Sequence, residues 1–250
     1  MQPCANKLRQ AGQTGLLICG SLGLVLVLIF LVPAHANSFT VQPIRVDLTA
    51  EQQVFALRVR NTSQREIAIQ LEVKTWQQEH GQDIYTDTDE LLAVPPIFSI
   101  AANETQTVRV GLRRVPDQEQ ELSYRLYLRE LPPADDNTRG VRMALNVGIP
   151  VFVRPLNGRA SHQLTWHSSV NDAGQRILSV TNDSNGHAQV TRLHGVASDH
   201  EFSRSLNDYV LPGASREWIL PSDFTAPDIS ALQLKARVNG KEQSSTVPLE

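Results

Sequence analysis

Gly140 to Pro155 reads Gly-Val-Arg-Met-Ala-Leu-Asn-Val-Gly-Ile-Pro-Val-Phe-Val-Arg-Pro. Its apolar residues recur at every second position, through Val141, Met143, Leu145, Val147, Ile149, Val151 and Val153, with mostly polar or small residues between them. That is the period of a β-strand with one apolar face. Strands of about five or six residues are typical. A longer one outruns the core of its own domain and leaves part of its apolar row uncovered, which suits pairing with another chain. The same alternation also fits an inner strand whose row is buried at home, and the pattern alone does not choose between them.

Outward from this stretch, the N-terminus sets the compartment. Lys7 and Arg9 precede an almost continuously apolar run from Leu16 to Val32, closed by Ala34-His35-Ala36. This is the pattern of a secretory signal peptide over residues 1–36; left uncleaved, the run is near the shortest length that spans a bilayer and would act as an anchor. A lipoprotein reading through Cys19 is disfavoured by the bulky Ile18. Both cysteines, Cys4 and Cys19, fall within the segment, so the exported chain has no disulfide and depends on ordinary cores. Removing residues 1–36 takes away two cations and no acid, and the formal charge moves from −3 to −5, which argues against nucleic acid as a partner.

The remainder reads as strands punctuated by turns, with almost no helical period. Strands are expected over Phe39–Leu48, interrupted by Pro43, which confines it to an edge or a switch point, then over Val54–Arg60 and from Ile67 to Val73. After a polar loop around Gly81 come Leu91–Ile100, containing Pro95-Pro96, then Thr105–Leu112 and Tyr124–Leu131. Short strands at this spacing describe an immunoglobulin-like β-sandwich. Leu57-Arg-Val59-Arg-Asn61-Thr-Ser63 recurs as Leu178-Ser-Val180-Thr-Asn182-Asp-Ser184, so a second sandwich is expected beyond Pro155, with strands at Tyr209–Leu211, Glu217–Leu220, Leu232–Val238 and Ser245–Leu249. The fold class is therefore all-β: a signal peptide over 1–36, an N-terminal immunoglobulin-like domain over 37–155 ending in the organising strand, and a C-terminal one over 156–250.

Pro96-Ile97-Phe98, Gln106-Thr-Val-Arg109-Val, Ser123-Tyr-Arg-Leu-Tyr-Leu-Arg-Glu-Leu-Pro-Pro133 and Ile149-Pro-Val-Phe-Val-Arg-Pro155, behind a signal peptide, resemble the periplasmic pilus (fimbrial) assembly chaperones of the chaperone/usher pathway. The resemblance is specific in the first domain and weaker in the second. It implies an L-shaped pair of immunoglobulin-like domains that lends the strand before the linker to an incomplete pilus subunit until the next subunit replaces it, and that delivers the subunit to an outer-membrane usher. The lent residues would be Val141, Met143, Leu145, Val147 and Ile149. At about 1.5 to 3 kcal/mol per fully buried aliphatic side chain, five give a nominal sum of roughly 8 to 15 kcal/mol before the costs of association. An exposed strand of this kind would also allow pairing with a second copy of the chain.

The resemblance further implies a cationic anchor for the subunit's terminal carboxylate in the cleft between the domains. Arg45 stands at the matching position of the first strand, and a guanidinium can hold a carboxylate bidentately. The family's second cation, a lysine four residues before the Arg-Pro pair, is replaced here by Pro150, which points to a non-classical branch associated with simpler, non-F1-type pili. Arg125 is the candidate substitute: if Leu131 pairs with Val141, the start of the Tyr124 strand lies beside the end of the organising strand, near the linker and cleft. Arg154 matches an arginine that joins an interdomain ionic network, with Glu121 as its acidic partner; the acidic member from the second domain has no counterpart, only Asn239.

Signatures of catalysis are missing. There is no Gly-x-Ser-x-Gly, phosphate-cradling glycine loop or His-Glu-x-x-His, so no enzyme and no cofactor are expected. Five of the seven histidines, His162, His167, His187, His194 and His200, fall in the second domain without the spacing of a metal site. Trp76, Trp166 and Trp218 read as core residues. The competing reading is a secreted two-domain adhesion or ligand-binding module that uses the cleft for a small molecule or glycan.

Overall fold

The computed structural model describes residues 38–132, 143–157, 163–225 and 230–249. The segment read as a signal peptide therefore lies outside the described residues, as does Val141. The first half is built from β1 (Phe39–Gln42), β2 (Val46–Leu48), β3 (Val54–Asn61), β4 (Ile67–Glu79), β5 (Gln82–Asp87), β6 (Leu91–Val94), β7 (Ile97–Ile100), β8 (Thr105–Leu112), β9 (Leu122–Leu131) and β10 (Asn146–Val153). One sheet runs β1-β3-β8-β6 and the other β2-β10-β9-β4-β5, with β7 also on β4. Leu57, Val59, Val108 and Val110 from the first sheet meet Ile69, Leu71, Leu126, Leu128, Ile149, Val151 and Val153 from the second in one buried core. Alternating residues of facing sheets supply such a core because successive side chains leave opposite faces.

Proline marks where the chain changes sheets. On one side of Pro43, β1 pairs with β3, and on the other, β2 pairs in parallel with β10. Likewise β6 pairs with β8 before Pro95-Pro96 and β7 with β4 after it. Each proline lacks the N–H that a continuous ladder needs, so the strands expected over Phe39–Leu48 and Leu91–Ile100 are each two. The polar loop expected around Gly81 is instead a hairpin: β4 and β5 pair from Lys74–Asp87 to Glu79–Gln82, closed through His80 and Gly81, both at positive φ, as a tight hairpin requires. β5 was illegible as a strand because neither of its faces is uniformly apolar.

The second half contains β11 (Leu164–Val170), β12 (Arg176–Asn182), β13 (Ala188–Ala197), β14 (His200–Val210), β15 (Ser215–Ile219), β16 (Ala231–Val238) and β17 (Lys241–Pro248). They form sheets β11-β12-β15 and β14-β13-β16-β17, around a core that includes Trp166, Leu178, Val180, Leu193, Trp218, Phe224 and Leu234. No strand pairing among the described residues joins the two halves, so the architecture is two β-sandwiches in series. The repeated Asn has the same work in each. Fully buried Asn61 donates through Nδ2 to the carbonyls of Arg65, Ile100 and Ala101, and Asn182 to those of Gly186 and Val210 at 2.9 and 2.8 Å. Each Oδ1 accepts from the backbone N–H of the serine two residues on. A buried amide that satisfies loop carbonyls of non-local strands fixes how the sandwich closes.

Candidate functional site: the open strand edge and the cationic cleft

β10 holds the key geometry. Along one edge it pairs with β9 over its whole length, from Asn146–Arg129 to Val153–Leu122. Along its other edge only Val151, Phe152 and Val153 are paired, to β2. From Pro150 back to Asn146 that second edge has no strand beside it among the described residues, and Pro150 itself sits where a missing N–H does no harm.

The row upstream of the linker is graded. Met143 is 81% exposed, Leu145 and Val147 are half-buried against the rim of the core, and Ile149 is 1% exposed. The expected uncovered row is thus shorter at its C-terminal end: Ile149 is enclosed by its own sandwich, because Leu126 lies directly across the ladder from it. Leu145 is anchored from below. Its carbonyl accepts the Glu130 N–H at 2.8 Å, and its N–H donates to the buried Glu130 carboxylate, which also accepts from the Ser38 hydroxyl at 2.6 Å.

Register departs from expectation. Asn146 faces Arg129, so along the described length of β10 the register is not the one that a Leu131–Val141 pair implies; Val141 itself lies outside the described residues. Cross-strand partners share a face; the observed register sets Val147, Ile149 and Val151 against Leu128, Leu126 and Tyr124, apolar against apolar, whereas the expected one would have set Leu126 against Asn146. The same correction makes Arg125 the direct cross-strand partner of Pro150, the position where the resemblance looks for a lysine.

Arg45 and Arg125 share one cleft of about 650 Å³, lined also by Pro43, Asp47, Phe55, Pro150 and, from the second sandwich, Gln189, Asn207 and Tyr209. Arg45 is exposed and its Nε donates to Asp47 at 3.0 Å. Arg125 is half-buried, its guanidinium 4.4 Å from the centroid of the Trp76 ring and 6.0 Å from that of Tyr85. A cation over an aromatic face is held electrostatically while its N–H groups stay free to point outward. Burial raises the Tyr209 hydroxyl above its usual pKa, against the opposing pull of Arg45 and Arg125, so it stays a protonated donor in this cationic surrounding.

Trp76, Phe152, Tyr209, Leu211 and Ala214 form a small core of their own, with Tyr85 packed on it, and it joins the two sandwiches. Trp76 meets Tyr209 edge-on at 5.4 Å. Around this cluster Gln78 bridges, donating to the Tyr209 carbonyl and accepting from the Leu211 N–H, both at 2.9 Å. Arg216 reaches the Gly81 carbonyl and the Asp83 carboxylate. Burial alone would raise the Asp83 carboxyl, but hydrogen bonds from Arg216, Trp76 and Gln78 outweigh it and hold the pKa below the ordinary carboxylate value. None of Asp83, Tyr85 and Arg216 was singled out from the sequence, since β5 was read as a loop and Arg216 precedes an unremarkable strand.

The pairing expected between Glu121 and Arg154 does not form. Glu121 is 6% exposed, and its Oε1 accepts from the His187 backbone N–H at 2.8 Å and meets His187 Nδ1 at 2.6 Å. The His187 ring in turn stacks on Phe152, centroids 3.5 Å apart and 10° from parallel. Arg154 is exposed and has no ion pair among the described residues. The reason is reach: the Glu121 N–H bonds the Asn185 carbonyl at 2.9 Å, which delivers the carboxylate to the second sandwich, whereas Arg154 follows the last strand residue toward solvent. Asn239 takes part indirectly, accepting from the Gln189 N–H at 2.8 Å beside His187. The described residues contain no group of His, Cys, Asp and Glu able to hold a metal ion.

Residues 38–158 match the family model described as pili and flagellar-assembly chaperone, PapD N-terminal domain. The chaperone protein PmfD of Proteus mirabilis (strain HI4320) is 31% identical over 146 residues, covering 56% of this chain and 52% of PmfD. The chain thus spans about half the length of the curated relative it matches. Among solved structures, the CsuC–CsuE chaperone–tip adhesion subunit pre-assembly complex from archaic chaperone-usher Csu pili of Acinetobacter baumannii is similar with a TM-score of 0.67 at 20% identity, covering 86% of this chain and 100% of that one. The YadV chaperone gives 0.65 at 16%, covering 85% and 100%, and the SafA pilin–SafB chaperone complex of Salmonella enterica 0.61 at 18%, covering 85% and 96%. These likenesses bear on the fold, which is the two-sandwich architecture described above. Over residues 38–158, just under half of its length, this chain is similar to the pili and flagellar-assembly chaperone family.

Proposed function

We propose that this protein is a periplasmic chaperone that completes an unfinished pilus subunit by lending it β10 and the residues leading into it, and hands the subunit to an outer-membrane usher. The observation that carries the reading is the unpaired edge of Asn146–Pro150 next to a cationic cleft. A subunit strand laid along that edge gains ladder hydrogen bonds, while Met143, Leu145 and Val147 supply the side chains for its groove. Three partly available residues at about 1.5 to 3 kcal/mol each on full burial give a smaller reserve than five would, and the part of Leu145 and Val147 already covered at home reduces it further. Such a hold suits a client that must later be released.

The subunit's terminal carboxylate would enter the cleft, with Arg45 giving up its Asp47 contact to receive it and Arg125 standing where the family's lysine is missing. Export through residues 1–36 and residence in the periplasm follow from the signal-peptide pattern and belong to the same proposal. Co-expression with a subunit lacking its last strand tests it: wild type should protect the subunit from proteolysis and co-purify with it, and Arg45→Ala or Leu145→Glu should abolish recovery. Full subunit yield with both variants would remove the mechanism and favour a cleft that serves another ligand.

A further inference from the structure

Outside the cleft, the second sandwich carries a group of cations that the chaperone reading does not use. A β-bulge between Val190 and Arg192 shifts the phase of β13. Without it Arg192 would share the inward face of Val190; with it, Leu193 enters the core and Arg192 joins His194 on the outer face. Bulges re-aim side chains in this way. Across the ladder Arg192 then pairs with Arg237 and His194 with Lys235, which places four basic side chains on two successive rungs of the same face, with the inward Leu193–Ala236 pair between them.

Partners directly opposite lie about 5 Å apart at Cβ, and like charges there are mutually unfavourable. Arg192, Lys235 and Arg237 have no ion pair among the described residues, and His194 has only Glu201, at 3.7 Å. Glu242 borders the group opposite Arg237 without closing an ion pair. Between these residues and Ser203 lies a depression of about 230 Å³, too small for a folded partner and of a size for one small anionic group.

We propose that this outer face of β13 and β16 is a binding site for a phosphate-type group, either free inorganic phosphate or the phosphomonoester head of a lipid. Two guanidinium forks, one ammonium and the Ser203 hydroxyl offer more donors than a carboxylate's two oxygens can use. A tetrahedral dianion accepts from several directions at once and would relieve the repulsion across both rungs. The proposal stands apart from the chaperone reading, since none of its residues lines the cleft or the open strand edge.

Two arms separate the sources. The purified protein is titrated calorimetrically with inorganic phosphate against sodium chloride at matched ionic strength, and floated with phosphatidylcholine vesicles with and without phosphatidic acid. Saturable binding in the first arm assigns the free ion, and retention only on phosphatidic acid vesicles assigns the lipid head. In either case Arg192→Gln and Arg237→Gln should each weaken binding by about tenfold or more, and Arg204→Gln, whose residue faces Leu193 across the ladder, should leave it unchanged. All three side chains are exposed, so the variants should melt no lower than wild type. Absence of binding in both arms, or variants that bind as wild type does, overturns the proposal.

Discussion

Replacing Glu121 by alanine should uncouple the two sandwiches, and its size follows from the geometry. The carboxylate is almost fully enclosed and takes two contacts from His187, at 2.8 Å from the backbone N–H and 2.6 Å from Nδ1. Hydrogen bonds to a charged acceptor are worth about 1.5 to 3 kcal/mol each. Because neither side chain reaches solvent to recover them, the loss should be about 3 to 5 kcal/mol, the range found when one member of a buried pair is deleted. For a chain of this size each kcal/mol moves the midpoint by about 2 to 4 °C, so Glu121→Ala should lower Tm by roughly 10 °C. Glu121→Gln retains an acceptor for the His187 N–H and should fall between. Arg154→Ala, exposed and unpaired with any described residue, should stay within about 0.5 kcal/mol. Differential scanning calorimetry on the three variants decides it, with small-angle scattering to follow loosening between the sandwiches. An Arg154→Ala melt as depressed as that of Glu121→Ala, or a Glu121→Ala melt unmoved from wild type, would refute the assignment of His187 as the partner.

The acid side of stability should depend on Asp83. Its pKa is held below the unfolded value of 3.8, so its contribution is complete above that value and is lost as pH falls through the lower folded value. Trp76 donates to this carboxylate at 3.0 Å, so its fluorescence should report the change, and Asp83→Asn should remove that acid step; an unaltered titration would place the step elsewhere. Asn182→Ala strands two buried carbonyls at about 1 to 3 kcal/mol each and should cost about 3 kcal/mol by urea denaturation, with Asn61→Ala comparable; a loss under about 1 kcal/mol would mean that the repeated motif does not close the sandwich. Tyr209→Phe removes the hydroxyl that the second sandwich adds to the cleft and should weaken subunit capture without lowering Tm, as checked by calorimetric titration with a peptide ending in the subunit's free carboxylate. Equal affinity with wild type would confine the anchor to Arg45 and Arg125.

Alternation marked β3, β8, β9 and β10 as strands in advance, and the Asn-x-Ser repeat at Asn61 and Asn182 announced two sandwiches of one construction, because both signals are carried by residues adjacent in the chain. Pro43 and Pro95-Pro96 could be read as interruptions for the same reason: a missing N–H is a local fact. That each marks a crossing between sheets needed the partner strands. Pairing register between β9 and β10 lay between these cases. The rule that apolar rows must face one another excludes Asn146 as the partner of Leu126 but suits Val147, Ile149 and Val151 equally, so the sequence left the choice among them open.

What the sequence determined by itself, then, was the position of most strands other than β5 and the apolar row of β10, while Arg45 came from the family resemblance and Arg125 from a strand register that the structure replaces. Only the tertiary structure decided that Ile149 is kept at home, that Arg125 stands across from Pro150, and that Glu121 answers to His187 while Arg216 answers to Asp83. Periodicity reports which face of a strand is dry. The partner of a buried charge is chosen by how two separately folded sandwiches dock, and residues 66 or 133 positions apart leave no local trace of that choice.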